Sequence, residues 1–167
     1  MKRMLTAAVC LVALLVSTAY AETFDCKDPQ FGKSLSELDS EGYFIKFKEK
    51  DGVSYYNFTG PCKFGIHERL APILVYAFIN GKLYARITQT FNDDFEIVKQ
   101  VAIRNGGEPK VSEDGAWTVM SWEFPEKGIR LKIKYNKKTN ATKSAMYYEP
   151  LREELKASSP EPEDSLQ

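Results

Sequence analysis

Ile73-Leu-Val-Tyr-Ala-Phe-Ile79, then Asn80-Gly81, then Leu83-Tyr-Ala-Arg-Ile-Thr-Gln-Thr-Phe91 is the stretch that decides the fold. Two runs rich in β-branched and aromatic residues flank an Asn-Gly pair. That pair is a preferred centre for a two-residue type I′ turn, whose twist matches the strands it joins. The stretch reads as a β-hairpin with Leu83, Ala85, Ile87 and Phe91 in register. Upstream, Tyr43-Phe-Ile-Lys-Phe-Lys48 alternates, with Tyr43, Ile45 and Phe47 on one face. Asp51-Gly52 turns it into a return strand over Val53 to Phe58. Hairpin turns of this kind make the sheet largely antiparallel.

Downstream, the period changes from two to that of a helix. Asn92 or Asp93 can cap it, and Asp94 and Glu96 sit favourably at the positive end of its dipole. Phe95, Val98 and Ala102 line one stripe, widened by Ile97 and Val101, and Gly106-Gly107 supplies the left-handed stop. Strand patterns return over Trp117 to Phe124, Ile129 to Tyr135 and Lys143 to Tyr148. Ser34-Leu-Ser-Glu37 has the form of a capping box for one short helical turn. Pro150 can open a short helix through Glu153 to Lys156. The expected fold is α+β in two layers, a largely antiparallel curved sheet of about six or seven strands with one main helix packed on it. The expected order is β-β-β-β-α-β-β-β.

Both ends of the chain read differently. Lys2 and Arg3 precede an apolar run from Leu5 to Val16, and Ala19-Tyr20-Ala21 is a small-x-small cleavage pattern. Residues 1–21 therefore read as a signal peptide cut before Glu22. Cys10 follows Ala7-Ala8-Val9, a poor lipobox. Residues 22–156 form the expected single domain, and 157–167 read as a polar, acidic, disordered tail. Of the 167 residues 43% are hydrophobic, which supports one packed core. Equal numbers of basic and acidic side chains, 23 each, exclude the footprint of a dedicated nucleic-acid binder. Beyond the leader only Cys26 and Cys62 remain, and in an oxidising compartment an even pair reads as one disulfide.

The candidate chemistry is sparse. His67 is the one histidine, and no G-x-S-x-G elbow accompanies it to supply a nucleophilic serine. It reads as a polar residue in the loop between the hairpins. Cys26, Cys62 and His67 lack the close pair that metal ligands usually show, and no C-x-x-C-H haem signature occurs. Gly32-Lys33-Ser34 resembles the end of a phosphate loop, but Lys27 stands where that loop needs a glycine. Asp93, Asp94 and Glu96 are accounted for by helix capping. No catalytic residue, cofactor or metal is expected. Asn57-Phe-Thr59 and Asn140-Ala-Thr142 are glycan acceptor sequons, meaningful in a eukaryotic secretory pathway.

Charge patterning supplies the one lead. Arg130, Lys132, Lys134, Lys137, Lys138 and Lys143 fall in a segment without an acidic residue, and Ile129 to Tyr135 alternates strictly. Ile129, Leu131, Ile133 and Tyr135 then face the core, and Arg130, Lys132 and Lys134 line the opposite face. With the following turn they form an expected basic ridge for an anionic lipid, a polyanionic glycan or an acidic protein surface. The same pattern also fits a solvated or edge strand, where lysine discourages association. Tyr55, Tyr56, Phe58, Tyr76, Phe78, Tyr84, Trp117, Trp122, Tyr147 and Tyr148 are either core or an aromatic patch. The leading expectation is a non-catalytic exported protein, periplasmic or otherwise secreted, that binds an anionic or protein partner through the outer sheet face. The alternatives are an envelope lipid, assembly or stress factor with an apolar groove, and a small hydrolase or isomerase.

Overall fold

A computed structural model describes residues 24–62, 73–90 and 95–158. The first hairpin joins β1 (Phe44–Lys50) to β2 (Val53–Phe58), and the second joins β3 (Ile73–Ile79) to β4 (Lys82–Thr90). Asp51 and Gly52 turn with φ of 50° and 73°, and Asn80 and Gly81 do the same. Both central residues have positive φ, as a type I′ turn demands. Helix α2 (Phe95–Gly106) follows, and Gly107 at φ 72° donates its N–H to the Ile103 carbonyl to close it. The chain then forms β5 (Lys110–Asp114), β6 (Trp117–Phe124), β7 (Ile129–Asn136) and β8 (Ala141–Tyr148). Two smaller helices, α1 (Leu35–Leu38) and α3 (Glu149–Ser158), complete the fold.

The strands make one open antiparallel sheet in the order β1-β2-β3-β4-β8-β7-β6-β5. Each half is a helix followed by a four-stranded meander, and β4 and β8 pair along the seam. The architecture is α+β, with eight strands rather than six or seven. The additional strand is β5. All five of its residues are exposed and its one apolar side chain is Val111, so no buried alternation marks it. Backbone pairing with β6 alone makes it a strand.

Two β-bulges alter the expected faces. Ala77 lies opposite Ala85, but Phe78 lies opposite Leu83, so Tyr84 is the extra residue. Leu83 therefore packs with Tyr76 and Phe78 on one face, and Ala85 with Ala77 and Ile79 on the other. They do not share a face, because a one-residue insertion inverts every side chain beyond it. In β1, Phe47 is the extra residue between Lys46 and Lys48. Phe44 is the buried member of that strand, whereas Ile45 and Phe47 are about half exposed.

Three clusters build the core. On the first sheet face Phe44, Tyr56, Phe58, Leu74, Tyr76, Phe78 and Leu83 pack beneath the amino-terminal segment and α1. The disulfide between Cys26 and Cys62, with Cα atoms 5.9 Å apart, closes that layer. Ser34 and Glu37 cap α1 reciprocally. Further along the same face α2 buries Ala102 against Met120, Trp122 and Ile133. Trp122 donates its indole N–H to the Gly107 carbonyl at 2.8 Å, anchoring the end of the helix. Helix α3 packs on the second face, with Leu151 and Leu155 over Val53, Ile79 and Ala85. It opens at Glu149 and reaches Ser158, so helices cover parts of both faces.

Two stability measurements test this account. Reducing the Cys26–Cys62 bridge, which closes a loop of about 37 residues, is expected to remove about 3–4 kcal/mol from the unfolding free energy in urea. An unchanged midpoint would disprove the structural role of the bridge. Leu83→Ala is expected to cost about 2–5 kcal/mol, and Ile45→Ala less than about 1 kcal/mol. Equal losses would contradict the bulged registers.

Candidate functional site

Antiparallel register gathers residues far apart in sequence into rows across the second sheet face. One row crosses all eight strands: Ile45, Asn57, Val75, Ile87, Ala145, Lys132, Ser121 and Lys110. The next runs from Ile73 through Gln89, Lys143, Lys134 and Val119 to Ser112. Helix α3 packs farther along, at the row of Tyr55, Ala77, Ala85, Tyr147 and Arg130 and beyond. The first two rows carry no helix among the described elements.

The predicted basic residues separate into distinct situations. Arg130 pairs with Glu149 of α3 at 3.0 Å and lies 5.3 Å from the Tyr147 ring centroid. Neither Nε of Arg130 nor Oε1 of Glu149 has a hydrogen-bond partner among the described residues, so this is a Coulombic contact without good donor geometry. Lys134 donates to Asp114 at 2.6 Å, and that ammonium holds the Asp114 carboxyl below the usual carboxylate range. Lys143, directly opposite Lys134, sits 5.1 Å from the ring centroid of Trp117. Two like charges placed opposite one another repel. The carboxylate and the indole face each offset part of that repulsion.

Lys132 is different. It stands between Ala145 and Ser121 with no acidic partner among the described residues. Partial burial lowers its pKa from the ordinary lysine value, and the charges of Arg130, Arg152 and Lys134 lower it further against a smaller opposing pull from Glu149. Lys137 and Lys138 occupy the exposed turn between β7 and β8. They lie beyond the strand positions that carry Arg130, Lys132 and Lys134. Lys137 instead lines a cleft of about 460 Å³ on the opposite sheet face, with Phe95, Glu96, Lys99, Glu113, Thr118, Met120 and Tyr135. Phe95 stacks on Tyr135 there at 4.2 Å between centroids. Four charged side chains in that lining make the cleft unlike an apolar groove.

The aromatic residues are mostly core. Tyr56, Phe58, Tyr76 and Phe78 lie in the layer under α1, and Trp122 lies beneath α2. Tyr55, Tyr84, Tyr147 and Tyr148 pack around α3, where burial pushes the Tyr84 phenol up to about 12. Trp117 lies one row beyond the bare rows, opposite Asn136, and its ring reaches them at Lys143. The large apolar groups exposed in those rows are Ile45 and Ile73, with Phe47 exposed on the neighbouring bulge. Sequence reasoning missed them because both faces of a hairpin rich in apolar residues look equally fit for a core. The contribution of Glu149 and Arg152 from α3 had no sequence signal either.

His67, Asn92, Asp93 and Asp94 lie outside the described residues, as do residues 1–21 and 159–167. No group of three His, Cys, Asp or Glu among the described residues is placed to hold a metal ion. Comparison with protein families, curated proteins and solved structures finds no match to this chain.

Lys132 generates a pH prediction. Its folded pKa lies below its unfolded one, so the unfolded chain binds more protons between the two values. Stability attributable to this group therefore rises as pH increases through that alkaline window. Lys132→Met is expected to abolish that rise without loss of stability at neutral pH, measured by urea unfolding at stepped pH. A destabilised Lys132→Met protein at neutral pH would contradict the charge crowding.

Proposed function

We propose that this chain is an exported, non-catalytic binding protein that engages an anionic or protein partner through the helix-free rows of its sheet. The observation that carries this reading is geometric: Lys132, Lys134 and Lys143 stand together on the helix-free rows of β7 and β8, and neither Lys132 nor Lys143 has a carboxylate in ion-pair contact among the described residues. Crowding like charges on a folded surface costs free energy, and an incoming anion relieves that cost. Lys134 and Lys143 lie beside Lys132 in the next row and enlarge the positive field.

Export is supported by the signal-peptide pattern of residues 1–21 and by the Cys26–Cys62 disulfide, which suits an oxidising compartment. No helix among the described residues is long and apolar enough to cross a membrane. A Gram-negative periplasm accounts for the short charged start and the Ala-x-Ala ending, and secretion is the other destination consistent with them.

Photo-crosslinking in the native host tests the binding face. A benzophenone amino acid at Ser121 or Ile87 is expected to trap a partner, and the same group at Ile97, on the exposed side of α2, is expected to trap none. Lys132→Glu combined with Lys134→Glu should weaken capture at Ser121 about tenfold or more, since reversing two charges at a contact changes affinity by at least one decade. Adducts confined to Ile97, or capture indifferent to the double reversal, would overturn the reading. Cell fractionation with intact mass reports export independently, the expected mass being that of a chain beginning at Glu22 and carrying one disulfide.

A further inference from the structure

The bare rows are divided in two by chemistry. On β3, β4 and β8 they present Ile73, Val75, Ile87 and Ala145; on β8 and β7 they present Lys143, Lys132 and Lys134. Ile73 is half exposed and Val75 and Ile87 are partly exposed, whereas Ala145 is buried and forms the floor between them and the lysines. An apolar stripe thus runs directly into a cationic one along the same cross-strand rows. The geometry points to an acidic polypeptide that carries apolar side chains beside its carboxylates as the occupant of this face. This inference rests on the proposed binding function and names the class of partner.

Charge counting favours a polypeptide over a membrane or a polyanionic glycan. Asp114 pairs with Lys134, and Glu149 is shared by Arg130 and Arg152, so among the described residues of β7 and β8 Lys132 and Lys143 are the ridge cations without a carboxylate in ion-pair contact. Recognition of acidic lipid headgroups uses clusters of about four to eight cations. Long polyanions likewise draw their affinity from many neutralised charges. Two ammonium groups without a carboxylate contact, beside an apolar stripe, match a protein contact instead, with an apolar centre and a polar rim.

Size agrees. Six strands spaced about 4.8 Å apart and two rows about 6.8 Å apart give a bare face on the order of 400 Å². That is below the roughly 800 Å² per partner of a standard stable interface, and it fits a short or transient contact. Strands β3, β4, β8, β7 and β6 are hydrogen-bonded on both sides, so the occupant meets side chains rather than adding a strand. The edge strand β1 carries a bulge together with Lys46, Lys48 and Lys50, which oppose strand addition there.

The test uses the disulfide-bonded mature protein, ¹⁵N-labelled, and four probes. These are a peptide interleaving Glu with Leu and Phe, the same peptide with Ser at the apolar positions, a heparin-derived oligosaccharide, and vesicles mixing phosphatidylcholine with phosphatidylglycerol. The interleaved peptide is expected to shift the amides of Val75, Ile87, Ala145 and Lys132, and the Ser peptide to bind about tenfold more weakly. Lys132→Glu and Ile73→Ser, both at partly exposed positions that the fold tolerates, should each weaken the interleaved peptide by a similar factor. Equal binding of the two peptides overturns the inference. So does perturbation of these amides by the oligosaccharide or the vesicles without the peptide, although the broader binding function then stands. If no anionic probe perturbs them, the inference and the binding function both fail.

Discussion

The ladder between β4 and β8, six residue pairs from Ala85–Tyr147 to Thr90–Thr142, holds the two halves of this protein in one sheet. Each meander is made of neighbouring strands that pair locally, but this seam joins segments some sixty residues apart. Arg86 sits on it. Its guanidinium donates to the carbonyls of Cys26 and Lys27 and approaches the Met146 sulfur at 3.0 Å. One side chain thereby ties the disulfide-bonded amino-terminal segment to the strand pair that unites the sheet. On the opposite side of the seam, Ala85 presents only a methyl group, which leaves room for Leu151 of α3.

Once the seam is formed, the covering elements divide the two faces unequally. The first face receives the amino-terminal segment, α1 and α2. Among the described elements the second receives only α3, a ten-residue helix that packs at one end of the strands. The rows it leaves uncovered contain half-exposed aliphatic groups and most of the basic ridge. A helix laid over those rows would have to bury Lys132 and Lys143 away from water, which is costly without carboxylate partners. The charge pattern and the absence of cover are therefore one feature seen twice.

The ridge is also where the structure departs from minimal electrostatic energy. Lys134 and Lys143 are direct cross-strand neighbours, an arrangement that costs stability wherever nothing else intervenes. Asp114, brought alongside by the β5–β6 hairpin, and Trp117 on β6 moderate it. Lys132 has no carboxylate in ion-pair contact among the described residues, and only the more distant charge of Glu149 works in its favour. A structural role asks for neutralised charges or for lysines at a sheet edge, and β7 is interior. Local conflict of this kind in an otherwise consistent fold is typical of functional surfaces.

The two type I′ hairpins, the capping box of α1, the stop of α2 and the alternation of β7 were all legible in the sequence. Each is decided within a few residues: by positive φ at Asn-Gly and Asp-Gly, by Ser34 and Glu37 satisfying each other, by Gly107 at the helix end, and by a period of two. The Cys26–Cys62 pairing was legible because no other partner exists beyond the leader. The bulges at Phe47 and Tyr84 were not, because their energy lies in packing across strands, and a one-residue slip leaves composition and local propensity unchanged. Strand β5 was not either, since its conformation comes from the hydrogen bonds offered by β6. Nor could the sequence say which rows of the second face stay bare. That depends on where α3 lands, and its landing depends on long-range contacts that exist only after the halves have joined.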